Sequence, residues 1–287
     1  MKLIDCIERA AAQLDAAGVA YGQGTLCAFD EAAWLVLWRL GLALDALGEH
    51  AARMLGADEL RAIDACVRQR IDTRRPTAYL TGEAWLQGVP FHVDERVIVP
   101  RSLIAEVIAE GLLERWLPAP GPRHVLDLCT GSASLAVLAA LAWPGARIDA
   151  SDVSGEALQV AAINIRRHAV ADRIRLLEAD GLQAVTGLYD LVLCNPPYVN
   201  RSTMASLPPE FRAEPAIALD GGVDGMDFIR RLMQQLPNHL AGAGALVLEI
   251  GHERGHFEAA FPTVQPLWLE TSAGADAVLL LTREMLG

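Results

Sequence analysis

The 287-residue chain has no closely spaced cysteines, no apolar run long enough to span a bilayer and no excess of positive charge, and each absence removes a class of protein. Its five cysteines (Cys6, Cys27, Cys66, Cys129, Cys194) lie far apart, form no C-x-x-C pair and leave one over if the others are bridged, so no disulfide framework is expected and a reduced, cytoplasmic setting is. The longest uninterrupted apolar run, Leu135 to Trp143, is less than half of the roughly 20 residues that cross a membrane. Asp5, Glu8 and Arg9 interrupt the only apolar stretch near the N-terminus, which argues against a secretory signal. With 24 Lys+Arg against 36 Asp+Glu the formal charge is −12, which repels a phosphate backbone and attracts a basic protein. No direct DNA partner and no membrane partner are expected. Aromatics are only 6%, yet 52% of residues are hydrophobic, enough for a sizeable core and too many for a disordered acidic tail.

The pattern divides the chain. Residues 1–75 read as helices, with apolar residues at three-to-four spacing through Ile4, Ile7, Ala11 and Leu14 and again through Trp34, Leu35, Trp38 and Leu42. From Thr77 to Pro100 short β-prone runs, Ala78-Tyr79-Leu80 and Phe91-His92-Val93, are broken by Gly82 and by Gly88-Val89-Pro90, which suggests a hairpin-like linker. A helix is expected from Ser102, as N-cap, to Trp116, where a proline-rich stretch stops it. Beyond Arg123 strands and helices alternate: strands end near Cys129, Asp152, Asp180, Cys194, Ile250 and Thr282, with helices from Ser132 and from Ser154 to His168. Such alternation predicts a parallel, doubly wound α/β sheet, and ligands bind such sheets at the carboxyl ends of the strands.

Those ends carry the polar residues. Asp127-Leu128-Cys129-Thr130-Gly131-Ser132-Ala133 leads from strand into helix, where small residues admit a ligand to the backbone and a helix N-terminus offers free N–H groups. Asp152 follows Gly131 by 21 residues, the usual place for a carboxylate holding a ribose diol. Asp180, at the next strand end, suits the amino group of an adenine, although either aspartate also suits a helix N-cap. Asn195-Pro196-Pro197-Tyr198 directly follows the apolar strand Leu191-Val192-Leu193-Cys194. Consecutive prolines fix their own φ and push the residue before each out of the helical region, so the Asn195 side chain and the Pro196 carbonyl are presented rigidly as two acceptors. An amino or amide nitrogen bound to a π-system has a delocalised lone pair; holding both its hydrogens on these acceptors aims that lone pair at a methyl donor while Tyr198 stacks on the planar group.

Two other patterns compete. His252-Glu253-Arg254-Gly255-His256 matches H-E-x-x-H, a helical zinc site, but carries a glycine inside its single turn and no histidine beyond it, so no metal is expected. Arg68, Arg70, Arg74 and Arg75 form a basic cluster that reads as a solvated face.

With Asp127-x-x-x-Gly131, Asp152, Asp180 and Asn195-Pro196-Pro197-Tyr198 in this order, the chain resembles the class I S-adenosylmethionine methyltransferases, and specifically the protein-glutamine N5-methyltransferases, over nearly its whole length. The resemblance implies a helical substrate-recognition domain (1–75), a β-hairpin linker (76–100) and a Rossmann-like domain with a seven-stranded, mostly parallel sheet (101–287). It implies S-adenosylmethionine, leaving as S-adenosylhomocysteine, held by Asp127, Cys129, Thr130, Gly131, Ser132, Ala133, Asp152, Asp180, Gly181 and Asn195. It implies a glutamine held by Asn195, Pro196, Pro197, Tyr198 and Arg101, with Asn195, Pro196 and Tyr198 catalytic. Pro76-Thr77-Ala78-Tyr79-Leu80-Thr81-Gly82-Glu83-Ala84-Trp85 and Val93-Asp94-Glu95-Arg96-Val97-Ile98-Val99-Pro100-Arg101-Ser102 are similar to the branch acting on large-subunit ribosomal protein three. Release-factor enzymes, the second substrate class, usually read Pro-Glu-Thr-Glu where this chain has Ser102-Leu103-Ile104-Ala105. Glu214-Pro215 and Asp220-Gly221-Gly222-Val223-Asp224-Gly225 also fit the family. Two positions depart from it: Ala133 stands where glycine is usual, a strain of about 1–3 kcal/mol if the loop needs positive φ there, and Gly181 stands where some relatives place an aromatic against adenine. Adenine-N6 methyltransferases share the Asn-Pro-Pro-Tyr logic, but they flip a base out of basic-surfaced DNA contacts that this acidic chain lacks.

Overall fold

The structure, a computed structural model, describes residues 1–286; residue 287, the last of the expected transfer domain, lies outside the described residues. Five helices open the chain: α1 (Leu3–Ala16), α2 (Ala28–Arg39), α3 (Leu47–His50), α4 (Ala57–Thr73) and α5 (Thr77–Thr81). Leu3, Cys6, Ile7, Ala10 and Leu14 place one face of α1 in a core shared with Ala32 and Val36 of α2 and with Ile63 and Val67 of α4. Helix α4 begins where Glu59 accepts the Gly56 N–H at 2.9 Å.

An antiparallel hairpin, β1 (Glu83–Leu86) and β2 (Val89–His92), follows, with α6 (Ile104–Ala109) after it. The main sheet is built from β3 (His124–Leu128), α7 (Ser134–Ala142), β4 (Arg147–Asp152), α8 (Gly155–Arg167), β5 (Ile174–Glu178) and β6 (Tyr189–Cys194). After β6 come α9 (Arg201–Ser206), α10 (Pro209–Arg212) and α11 (Asp227–Gln235), then β7 (Leu240–Glu249), α12 (Arg254–Ala260), β8 (Leu267–Thr271) and β9 (Gly274–Thr282). The strand order is β5-β4-β3-β6-β7-β9-β8, parallel except at β9, which runs antiparallel to β7 and β8. The seven-stranded, mostly parallel α/β sheet expected from the sequence is therefore present. Its apolar strands are covered on both faces: α6, α7 and α8 pack with Leu191, Leu193 and Val247 on one side, and α11 and α12 with Leu126, Val192 and Leu248 on the other. The chain reverses its direction of growth between β3 and β6, which are neighbours, so the loops leaving these two strands diverge and open a crevice at their carboxyl ends.

Several local expectations are corrected. Ala78-Tyr79-Leu80 lies in α5, not in a strand; Pro76 starts the turn, and the buried Tyr79 donates its hydroxyl to the Val97 carbonyl at 2.5 Å, so tertiary packing overrides β-propensity. The hairpin instead pairs Glu83–Leu86 with Val89–His92. The helix expected from Ser102 to Trp116 is only α6, because the Ser102 hydroxyl is drawn to the Glu249 carboxylate (2.6 Å) and Gly111 breaks the run at φ 67°. Helix α7 starts at Ser134 rather than Ser132, and β8 was not anticipated. The arginine cluster is not a solvated face: Arg70 is only 1% exposed and lies 2.6 Å from Glu31. Among the described residues no helix is long and apolar enough to cross a membrane.

The hairpin is fastened by one side chain. Asn164 of α8, fully buried, accepts the His92 N–H (2.7 Å) and donates to the carbonyls of His92 (3.0 Å) and Ser132 (2.9 Å), joining β2, α8 and the loop after β3. Asn164→Ala leaves three backbone groups without partners, each worth about 1–3 kcal/mol when buried and unpaired. Equilibrium urea unfolding is expected to show a loss of at least about 2 kcal/mol; an unchanged midpoint would contradict this.

Candidate active site

The loop after β3 turns sharply because Cys129, Gly131 and Ala133 all adopt left-handed backbone, at φ 60°, 53° and 61°. Residue 133 thus does require positive φ, and its alanine holds that conformation at the cost of about 1–3 kcal/mol. Asp127 braces the loop from beneath: its carboxylate accepts the Thr130 hydroxyl at 2.5 Å and the Ala136 N–H at 2.9 Å. Burial pushes its pKa up to about 7, against the opposing pull of those two hydrogen bonds. Asp152, at the end of β4, accepts the Gly131 N–H (2.8 Å) and the Ser154 N–H (2.9 Å) on separate oxygens. Its pKa is also raised by burial, with the same kind of backbone bonds opposing. Ser154, not Asp152, caps α8.

Two cavities flank the end of β6. The larger, about 650 Å³, is lined by Cys129, Gly131, Asp152, Asp180, Asn195 and Pro197, with Val97 and Ile98 of the linker and Phe228 of α11 supplying apolar wall. The smaller, about 170 Å³, is lined by Arg101, Asn195, Pro196, Tyr198, Phe211 and Glu249. Asn195 borders both, so the Asn195-Pro196-Pro197-Tyr198 turn is the partition between them.

The sequence-predicted residues separate accordingly. Cys129, Gly131, Asp152, Asp180, Gly181, Asn195 and Pro197 meet at the larger cavity, and Asn195, Pro196, Tyr198 and Arg101 at the smaller. Asp127, Thr130, Ser132 and Ala133, expected to touch a ligand, border neither and are buried behind the loop they shape. Asp180 is shared: Arg231 donates to both its oxygens at 2.9 and 3.1 Å. Gly181 has φ 59°, and a Cβ there would sit 3.7 Å from the Phe228 ring, so α11 brings an aromatic to the place that Gly181 leaves empty.

Glu249 escaped the sequence reading, and Glu214 and residues 220–225, noted there only as fitting the family, gain a structural role. Glu249, buried at the end of β7, accepts from the Ser102 hydroxyl (2.6 Å), the Leu103 N–H (2.9 Å) and the Tyr198 hydroxyl (3.2 Å). Burial raises its pKa while these donors oppose the rise, and burial likewise pushes the Tyr198 phenol up. A carboxylate closing an otherwise apolar strand was the available signal. Glu214 grips Arg101 through two hydrogen bonds of 2.6 and 2.7 Å. Residues 219–225 fold over the partition: Val199 donates to the Leu219 carbonyl and Gly221 to the Val199 carbonyl, both at 2.9 Å. A Cβ at Gly225 would lie 2.2 Å from the Tyr198 carbonyl, and one at Gly251 would lie 2.5 Å from its ring, so both positions need glycine.

The H-E-x-x-H pattern does not form a helical metal site. Helix α12 begins only at Arg254, His256 Nδ1 bonds Glu253 at 2.5 Å, and Glu253 also accepts from Asn200 at 2.6 Å. Among the described residues no three His, Cys, Asp or Glu side chains converge for a metal ion.

A doubly wound sheet whose strand ends hold a large cleft bearing Asp152 and Asp180 on one side of an Asn-Pro-Pro turn, and a small cavity bearing Arg101, Tyr198 and Glu249 on the other, is the form expected of a methyltransferase. Residues 108–221 match the family described as "MTS: Methyltransferase small domain". The catalytic domain of hMettl16 in complex with MAT2A 3′UTR hairpin 6 shares the fold, with a TM-score of 0.52 at 16% identity over 79% of this chain and 81% of that one. The chain is 52% identical to the ribosomal protein uL3 glutamine methyltransferase of Bordetella pertussis, covering 99% of this chain and 96% of that protein. The corresponding enzyme of Burkholderia pseudomallei is 45% identical over 96% and 93%, and that of Neisseria meningitidis serogroup B is 43% identical over 98% and 93%. By these relatives the chain belongs to the family of ribosomal protein uL3 glutamine methyltransferases.

The buried Asp127 gives a pH signature. Its pKa in the folded chain, about 7, exceeds that of an unfolded aspartate, about 3.9. Between these values the folded state binds more protons, so this group's contribution to stability falls as pH rises from about 4 to about 7. In Asp127→Asn that component is expected to vanish, which unfolding free energies at pH 4.5, 5.5 and 6.5 will measure; identical slopes in both proteins would contradict it.

Proposed function

We propose that the chain transfers a methyl group from S-adenosylmethionine to the side-chain amide nitrogen (N5) of a glutamine in ribosomal protein uL3. The observation that carries this reading is the partition: one rigid turn presents Asn195 to both cavities. The donor set fits the cofactor. Each Asp152 oxygen accepts one backbone N–H, and a carboxylate has about four acceptor sites, so lone pairs are left for a ribose diol. Val97, Ile98 and Phe228 offer apolar surface for an adenine, and Asp180 and Arg231 polar edge groups beside it. Cys129 and Gly131 keep the loop backbone close.

When bound, the cofactor supplies a methyl carbon already activated on a sulfonium, so the chain mainly has to place and desolvate the acceptor. An amide nitrogen resists because its lone pair is delocalised, as the peptide rotation barrier of roughly 18–20 kcal/mol shows. Asn195 and the Pro196 carbonyl each accept one amide N–H, which favours a nitrogen whose lone pair is free. Tyr198, tethered to Glu249, stacks on the planar group, and Arg101 lines the same cavity. No strong base is needed, since methylation makes the amide nitrogen very acidic. Residues 1–75 are assigned to recognition of the acceptor protein, 76–100 to the linker and 101–286 to transfer.

Labelled S-adenosylmethionine, separated ribosomal proteins and release factors, read by mass spectrometry, test the acceptor: a methylated glutamine in uL3 is expected, and label confined to release factors would refute it. Asn195→Ala is expected to bind S-adenosylhomocysteine nearly normally in calorimetry and to lose about 10²–10³ in kcat, by analogy with deleting one oxyanion-hole partner. Unimpaired turnover in that variant would remove the turn from the chemistry.

A further inference from the structure

Phe211 lines the smaller cavity, and the segment that carries it is clamped from two sides by buried carboxylates. On one side Glu210, fully buried, meets the N-terminal helices: Arg74 donates to it at 3.1 Å, Arg70 lies 3.6 Å away, and Gln23 donates to its carbonyl at 3.3 Å. These arginines are themselves fixed. Arg70 donates to Glu31 at 2.6 Å, and Glu31 also accepts from Thr25 (2.5 Å) and Thr77 (2.9 Å). Arg74 donates to the carbonyls of Ala17 (2.6 Å) and Gly18 (2.9 Å). On the other side Glu214 holds Arg101, whose guanidinium lies 5.5 Å from the centre of the Phe211 ring, and accepts the Val99 N–H at 2.9 Å. Phe211 is also close to Gly22, where a Cβ would come within 3.3 Å of the ring.

Replacing a buried ion pair by apolar residues is often neutral or stabilising, so such a pair is weak evidence for a stability role. The network ties the end of α4 to Glu210, the residue that precedes the cavity-lining Phe211.

We propose that Glu210 is a positioning residue for the acceptor: by locking α10 to Arg70 and Arg74 it fixes Phe211, so that the glutamine cavity is completed by the N-terminal helices and not by the transfer domain alone. This rests on the function proposed above. The larger cavity is expected to be spared, because Glu214, Arg101 and Val99 anchor the chain beyond α10 independently.

The test is the full chain with Glu210→Gln, assayed with uL3 for kcat and KM and by calorimetry with S-adenosylhomocysteine. A KM for uL3 raised tenfold or more, with S-adenosylhomocysteine affinity within threefold of wild type, is expected. A KM within twofold, with only the melting temperature lowered, would reduce the network to scaffolding and overturn the proposal. Should Glu210→Gln not fold, Arg74→Met decides: the Arg74 side chain is 30% exposed, and Arg70, 3.6 Å from Glu210, remains as the counter-charge to the buried carboxylate; a KM raised at least threefold is expected, an unchanged one overturning the proposal. If the wild-type enzyme does not methylate uL3, the function reading fails; if it does and both variants match it, only the role of Glu210 fails.

Discussion

Two prolines in succession at the carboxyl end of β6 remove two backbone donors and fix two φ angles, so the chain leaves the sheet as a stiff ledge. A flexible exit would carry the same acceptor atoms but would lose entropy each time it gripped a substrate. The strand behind the ledge is buried except at Asp190, paired with β3 on one side and β7 on the other, and residues 219–225 close over the ledge through bonds to Val199. The rigidity of a few atoms therefore derives from the whole sheet.

Around that ledge, buried polar groups hold loops that have little regular structure of their own. Asp127 supports the turn after β3, Glu249 ties Tyr198 to Ser102 and Leu103 just beyond the linker, Glu214 ties Arg101, and Asn164 ties the hairpin. Asp127 satisfies donors of its own loop, the other three satisfy groups from distant parts of the sequence, and such groups are costly to bury unless paired. The raised pKa values of Asp127, Asp152 and Glu249 have one shared cause, burial, and mark where the chain accepts that cost to shape the two cavities.

Much of this was legible from local pattern. The alternation of strands and helices gave the sheet; the 21-residue interval from Gly131 to Asp152 is closed in the structure by a hydrogen bond between them; and Asn195-Pro196-Pro197-Tyr198 announced a rigid exit. What stayed hidden depended on partners remote in sequence. Arg70 looked like one of four surface charges because Glu31 and Glu210 are far along the chain. Ala78-Tyr79-Leu80 looked extended because the Val97 carbonyl that receives Tyr79 is not adjacent. Strand β8 is short and pairs only with β9, so its sequence carries weak periodicity. Asp127, Thr130, Ser132 and Ala133 were recognisable as a nucleotide loop, but spacing cannot tell residues that face a ligand from those that bend the backbone toward it.

The most direct measurement is a crystal structure of the enzyme with S-adenosylhomocysteine and a glutamine-containing uL3 peptide. The thioether sulfur is expected in the larger cavity and the glutamine NH₂ in the smaller, its two hydrogens on Asn195 Oδ1 and the Pro196 carbonyl at ordinary hydrogen-bond lengths of about 2.9 Å. A glutamine amide seated away from that ledge, or both ligands on the same side of it, would contradict the account.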